Sequence, residues 1–147
     1  MVRANLPPYE LFDVKYSLGS GLGLGLGLAL NDKEHRVVTL LGDSSFFHTD
    51  INAMSYAAQL GLPMLVVVLD NGTTALTGGQ VHPGSDVDAR GHPQKAIDLM
   101  EVIRGCSLEP QLCTPGDVPS LEAAFEEALT AEALRVVVVR GPCPRYV

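Results

Sequence analysis

Three short apolar runs, rich in β-branched residues, constrain this chain more than any other feature: Arg36–Leu41, Met64–Leu69 and Arg135–Arg140. None alternates apolar with polar. Continuous runs of this kind suit strands covered on both faces, which is the situation of a parallel sheet. Helical patterns lie between them, and strand–helix alternation predicts an α/β layer architecture with a mainly parallel sheet. Two of the runs end in turns that carry oxygen donors, Gly42-Asp43-Ser44 and Asp70-Asn71-Gly72. Ligands of open parallel sheets bind at the carboxyl ends of the strands. A carboxylate and a carboxamide at two such ends can therefore converge on one ion.

The segment Tyr9–Tyr16 reads as extended at best. Gly19–Leu30 alternates glycine with leucine, serine or alanine and so imitates a strand, yet glycine is poor in strands. As a helix it stacks Gly19, Gly23 and Gly27, and Gly21 with Gly25, into a smooth face for close packing. Each such glycine costs a helix about 1 kcal/mol relative to alanine, so the helix needs tertiary support. Further helices are predicted over Thr49–Leu60, ended by Gly61, and near Gln94–Arg104 and Ser120–Glu132. Ser107–Cys113 is an expected strand. Gly72–Pro93 is a long Gly/Pro/Thr/Asp/His loop, a length that in a packed domain usually signals function or disorder.

With 147 residues the chain holds one domain with a real core. Its 46% hydrophobic and 18% charged content excludes a disordered chain. A net charge of −7 argues against nucleic acid or anionic membrane as a partner. It also means that an anionic ligand needs local help from a metal or from backbone amides. Cys106, Cys113 and Cys143 form no CxxC or Cys/His pattern, so neither structural zinc nor an iron–sulfur cluster is supported. A reducing cytoplasm fits best. No signal peptide is visible, and the apolar tract Leu18–Leu30 is too short to span a bilayer. A P-loop is absent, and a dinucleotide reading of Gly19–Gly27 fails because no apolar strand precedes it.

Magnesium takes six oxygens in a near-octahedral shell, commonly one or two protein groups plus phosphates and water. Asp43, Asn71 and a main-chain carbonyl just past Asn71 would supply three. Ser44 and Ser45 lie where a strand turns toward a helix, within reach of phosphate oxygens. Taken singly, Asp43 reads equally as a helix cap and Asp70-Asn71 as a turn.

Taken together, the two turns resemble the thiamine-diphosphate signature, Gly-Asp-Gly or Gly-Asp-Ser followed by Asn-Asn or Asp-Asn. Residues 45–69 separate them, within the signature's usual spacing. Gly42–His48 and Asp70–Gly84 are similar to the thiamine-binding region of indolepyruvate ferredoxin oxidoreductase large subunits. The Leu6-Pro7-Pro8, Asp13 and Gly19-Ser20-Gly21 approach is similar too. Thr77-Gly78-Gly79-Gln80 is typical of the wider 2-oxoacid:ferredoxin oxidoreductases. The resemblance runs from Leu6 to about Pro142. It implies a three-layer Rossmann-like thiamine-diphosphate-binding fold over residues 1–147. It also implies Asp43 and Asn71 as magnesium side-chain ligands, with Thr73 as a third through its carbonyl. Gly42, Ser44 and Ser45 would line the diphosphate. Gly19, Ser20 and Gly21 either approach the cofactor or serve packing alone.

His35 and His92 read as loop residues. His48 and His82 flank the cofactor motifs, and either faces the substrate pocket as a proton carrier or orients a loop. Relatives often have a second histidine where Gly79 stands. The resemblance places the glutamate that activates the cofactor on a separate pyrimidine-binding domain or subunit. The family's Cys-Pro segment before the domain and the ferredoxin-like cysteine clusters after it are absent. The chain therefore reads as a small subunit, a truncated domain or a reduced relative. The implied activity is oxidative decarboxylation of a 2-oxoacid, with electrons passing to ferredoxin or another iron–sulfur acceptor, in an oligomer. A non-oxidative 2-oxoacid decarboxylase subunit and a non-catalytic module with the same fold are the rival readings.

Overall fold

Strand β2 (Met64–Asp70) lies inside a four-stranded sheet of order β1-β2-β4-β3, with β1 (Val37–Gly42), β3 (Gln111–Cys113) and β4 (Arg135–Arg140) all parallel to it. The computed structural model describes residues 2–146. Alternate β2 side chains enter two cores. Met64, Val66 and Val68 join Leu22, Leu26, Met54, Ala57 and Ile103 on one face. Leu65 and Val67 join Ala124 and Ala128 on the other. Helices α1 (Gly21–Asn31), α3 (Ile51–Leu60) and α4 (Leu99–Gly105) thus cover one face, and α5 (Val118–Thr130) covers the other. This is the three-layer α/β arrangement that the resemblance implies, with the parallel sheet expected from the unalternating strands.

The glycine–leucine tract is helical. Its glycines divide by face rather than forming one smooth stripe. A Cβ on Gly25 would stand 2.1 Å from Thr39 Oγ1, whereas Gly23 and Gly27 face open space. Close packing of α1 on β1 thus depends on Gly25.

Three boundaries differ from expectation. The helix expected from Thr49 begins at Asp43, as a short turn α2 (Asp43–Ser45) and a π-helical stretch Phe46–Asp50 before α3. The helix expected near Gln94 starts only at Leu99. Gln94 and Ile97 instead bond to the carbonyls of Asp86 and Pro83 in the long loop, and Asp98 caps the helix by accepting from Met100 N. The third strand is confined to Gln111–Cys113, since Pro110 has no N–H to donate. Gly61 ends α3 in the left-handed conformation, as its position suggested. Tyr9–Tyr16 forms no strand.

Candidate functional site

Parallel pairing sets Gly42 opposite Leu69, so the two oxygen-bearing turns leave the sheet side by side. Asp43 is 2% exposed. Its Oδ2 accepts from Asn71 N at 2.9 Å and Gly72 N at 2.7 Å, and its Oδ1 accepts from Ser44 N at 2.7 Å. One side chain therefore ties the first turn to the second. Burial works to raise the Asp43 carboxyl, but the His82 contact and the amides of Ser44 and Asn71 outweigh it and hold the group below the usual carboxylate range.

Asn71 Oδ1 accepts from Thr73 N at 3.1 Å, and the Thr73 carbonyl accepts from Ala75 N at 2.9 Å. Asp43 Oδ1, Asn71 Oδ1 and Thr73 O each carry one such bond in the structure, which leaves each a free acceptor position. Three neutral or anionic oxygens fit a small hard cation that completes its shell from phosphate and water. Among the described residues no group of three His, Cys, Asp or Glu side chains forms an all-protein metal cage.

The remaining sequence-selected residues divide into two groups. Gly19, Ser20 and Gly21 lie at the start of α1, beside the π-helical stretch. Gly19 has φ +76°, and a Cβ there would overlap Thr49 Oγ1, so glycine is required. Gly19 N donates to Ser45 Oγ at 3.0 Å. Ser45 is buried, and its hydroxyl donates to Asp50 Oδ2 at 2.7 Å. Ser20 Oγ donates to Ser17 O at 2.6 Å. The hydroxyls of Ser20 and Ser45 are thus engaged internally, while Ser44 stands half-buried between the turns.

The two histidines differ sharply. His48 is exposed beside Gly19, with Nδ1 3.3 Å from Thr49 Oγ1. The His82 side chain is 5% exposed and turned inward. It stacks on Phe47 at 5.6 Å and accepts from Gly84 N at Nδ1, which leaves Nε2 to carry the proton of a neutral ring. Nε2 lies 3.3 Å from Asp43 Oδ2 without a well-directed hydrogen bond to any described residue.

Sequence reasoning missed Asp50 and the Arg140 pair. Arg140 Nε donates to Asp70 Oδ2 at 2.6 Å, and Nη2 lies 3.4 Å from Asp98 Oδ1. The register Asp70↔Arg140 explains the first contact. Only the strand order would have revealed it, and that order is not written in local pattern. A cavity of about 480 Å³ opens beside Asn71, walled by Phe47, His82, Ile97, Arg140 and Pro142.

Residues 3–139 match the family described as thiamine pyrophosphate enzyme, C-terminal TPP binding domain. The indolepyruvate oxidoreductase subunit IorA of Methanothermobacter marburgensis is 36% identical over 138 residues, covering 93% of this chain and 22% of that subunit. The chain thus spans under a quarter of the length of the curated relatives it matches. Among solved structures, the 2-oxoglutarate:ferredoxin oxidoreductase of Magnetococcus marinus superposes with a TM-score of 0.79 at 20% identity, covering 88% of this chain and 47% of that one. That likeness is one of fold. The thiamine diphosphate-dependent 4-hydroxybenzoylformate decarboxylase of Rhodococcus jostii gives 0.64 at 28% identity, covering 85% and 23%. Fold, strand-end turns and family match agree, and the chain belongs to the thiamine pyrophosphate enzymes, through their C-terminal TPP-binding domain.

Proposed function

We propose that this chain holds thiamine diphosphate with Mg2+ as one component of a 2-oxoacid ferredoxin oxidoreductase of the indolepyruvate type. The observation that carries the reading is the Asp43 carboxylate bonded to the Asn71 and Gly72 amides, which brings both signature turns to one point. Asp43, Asn71 and the Thr73 carbonyl would hold the ion. Gly42, Ser44 and the Gly19–Gly21 approach would face the diphosphate. When bound, the cofactor supplies the carbanion-stabilising centre for decarboxylation of a 2-oxoacid.

This chain's own share is positioning. His82 would orient Asp43 through their 3.3 Å contact, with Phe47 and Gly84 fixing His82, and exposed His48 would exchange a proton with substrate. Activation of the cofactor falls to a pyrimidine-binding domain or subunit, and the electrons pass to ferredoxin or another iron–sulfur partner. Exposed Leu24, Leu28 and Val38 on α1 and β1 support association with such partners. No described helix is long and apolar enough to cross a membrane. The free thiols Cys106, Cys113 and Cys143 support a reducing, cytoplasmic setting.

Calorimetric titration with thiamine diphosphate, with and without Mg2+, tests the reading on the chain alone and assembled with its partner subunit. Mg2+-dependent binding that disappears in Asp43→Ala is expected. Absence of binding in the assembled enzyme overturns the reading. Carbon dioxide release that requires ferredoxin or a viologen dye separates the oxidoreductase from a simple decarboxylase.

A further inference from the structure

Arg140 ends β4 beside Asp70, the last residue of β2, and the parallel register sets the two opposite each other. Its Nε donates to Asp70 Oδ2 at 2.6 Å, and the next amide, Gly141 N, donates to Asp70 O at 3.0 Å. The Asp70 side chain is 14% exposed, so its carboxylate needs a charged partner. On its other side the guanidinium brings Nη2 to 3.4 Å from Asp98 Oδ1. Asp98 is the N-cap of α4, and the same oxygen accepts from Met100 N at 2.8 Å. One side chain from β4 thus reaches both ends of the segment 71–97, which carries Asn71, Thr73 and His82.

That segment has little regular structure of its own. It contains a short 3-10 turn, Ala75–Thr77, and isolated bridges between Thr74 and Gln80 and between Val87 and Pro93. Its place over the sheet therefore depends on where its ends are tied. Asp43 grips the near end through the Asn71 and Gly72 amides. Arg140 grips the residue just before them and, through Asp98, the far end. Asp70, Asp98 and Arg140 also line the cavity beside Asn71. Their effect on global stability is small, because Arg140 and Asp98 are exposed and ion pairs of that kind add little to a fold. β2 and β4 are in any case paired from Leu65 to Asp70. What the guanidinium controls is local: the direction in which Asn71 leaves the sheet, and the distance from there to α4.

We propose that Arg140 is a positioning residue that clasps the two ends of the 71–97 segment and so holds the Asn71 and Thr73 oxygens in place for a divalent cation. The cation rests on the Mg2+ and thiamine-diphosphate reading above, whereas the clasp does not. Three variants separate its parts. Arg140→Gln removes the charge that both aspartates face. Arg140→Lys keeps one bond to Asp70 but cannot fork to two carboxylates. Asp98→Asn keeps the α4 cap, since its amide oxygen still accepts from Met100 N, and removes the charge at the far end.

Amide hydrogen exchange on the full chain reads the clasp, and calorimetric titration of thiamine diphosphate with Mg2+ reads its consequence. In Arg140→Gln the amides of Asn71, Gly72, Thr73 and Ile97 should exchange at least about tenfold faster. Those of Val66 and Val137, in the sheet, should change by less than about fivefold. Arg140→Lys should restore protection at Asn71–Thr73 but not at Ile97, and Asp98→Asn should release Ile97 alone. The Mg2+-dependent affinity should fall about tenfold in Arg140→Gln and recover most of that loss in Arg140→Lys. Uniform acceleration of sheet and loop amides would mean a general loss of stability and overturns the proposal. So does a folded Arg140→Gln whose Asn71–Thr73 exchange is unchanged, or whose affinity is unchanged although those amides are released. If Arg140→Gln does not fold, Arg140→Lys and Asp98→Asn decide, and unchanged exchange at Ile97 in both overturns the clasp. Loop exchange behaving as described while thiamine diphosphate fails to bind even the assembled enzyme removes the cofactor reading and leaves the clasp standing.

Discussion

His82 presents Nε2 to Asp43 Oδ2 at 3.3 Å, with the two side chains 5% and 3% exposed. A histidine in a Gly/Pro-rich loop is ordinarily a solvated one. This ring is drawn in because Phe47 stacks on it and Gly84 bonds its far nitrogen. The loop that follows Asn71 is thereby pinned to the residue that follows β1.

Replacing His82 should loosen this junction. His82→Ala is expected to cost about 2–3 kcal/mol in urea unfolding, through the lost stack and a buried carboxylate left with one neighbour fewer. His82→Gln keeps a donor and should cost less. Mg2+-dependent binding of thiamine diphosphate should weaken about tenfold in His82→Ala, the usual effect of removing a group that orients a metal ligand.

The Asp43 carboxyl makes stability depend on pH. Its folded-state pKa lies below the ordinary 3.8, so the unfolded chain binds a proton at higher pH than the folded one does. The resulting stability is fully present above that ordinary value and is lost as pH falls through the folded value. Asp43→Asn sets an amide donor against either Ser44 N or the Asn71 and Gly72 amides and should destabilise near neutrality. The gap between wild type and Asp43→Asn, followed by urea unfolding at decreasing pH, should narrow below about pH 4. A gap that stays constant through this range would show that the carboxylate's contacts do not set the dependence.

The strands and the two ends of the site were legible because their signals are local. β-branched runs, Gly61 and the Asp43/Asn71 turns each carry their meaning within a few residues. The π-helical stretch was not legible. It arises from Ser45 and Thr49 reaching across to Gly19, a contact between residues far apart in sequence. The same holds for Arg140 and Asp70, which meet only because β4 lies beside β2. His48 and His82 looked alike in sequence, since burial depends on how the loop folds back over Phe47.

The glycines of α1 offer a contrast within one helix. Gly23 and Gly27 face open space, so alanine at either should stabilise the chain by about 0.5–1 kcal/mol through helix propensity. Gly25 packs on Thr39, and alanine there forces β1 and α1 apart. Thermal melts should therefore move upward for Gly23→Ala and Gly27→Ala and downward for Gly25→Ala. If the double variant Gly23→Ala/Gly27→Ala also weakens association with a partner subunit, the open face of α1 is the one that the partner covers.

Gly79, in the Thr77–Gln80 segment, supports the ring of Tyr146 from the far end of the chain. A Cβ on Gly79 would stand 3.1 Å from Tyr146 Cδ1, and its φ is +84°. Gly79→Ala thus meets two obstacles, a contact and a backbone conformation that L side chains rarely adopt. A loss of about 1–2 kcal/mol is expected. Tyr146→Ala in the same chain removes the contact and leaves the backbone strain, so the double variant should recover part of that loss and not all of it. Complete additivity of the two substitutions in urea unfolding would mean that Tyr146 and Gly79 do not touch in solution. Partial recovery, accompanied by faster proteolysis of the 72–84 loop in Tyr146→Ala, would show that the ring holds down the loop that carries Thr73 and His82.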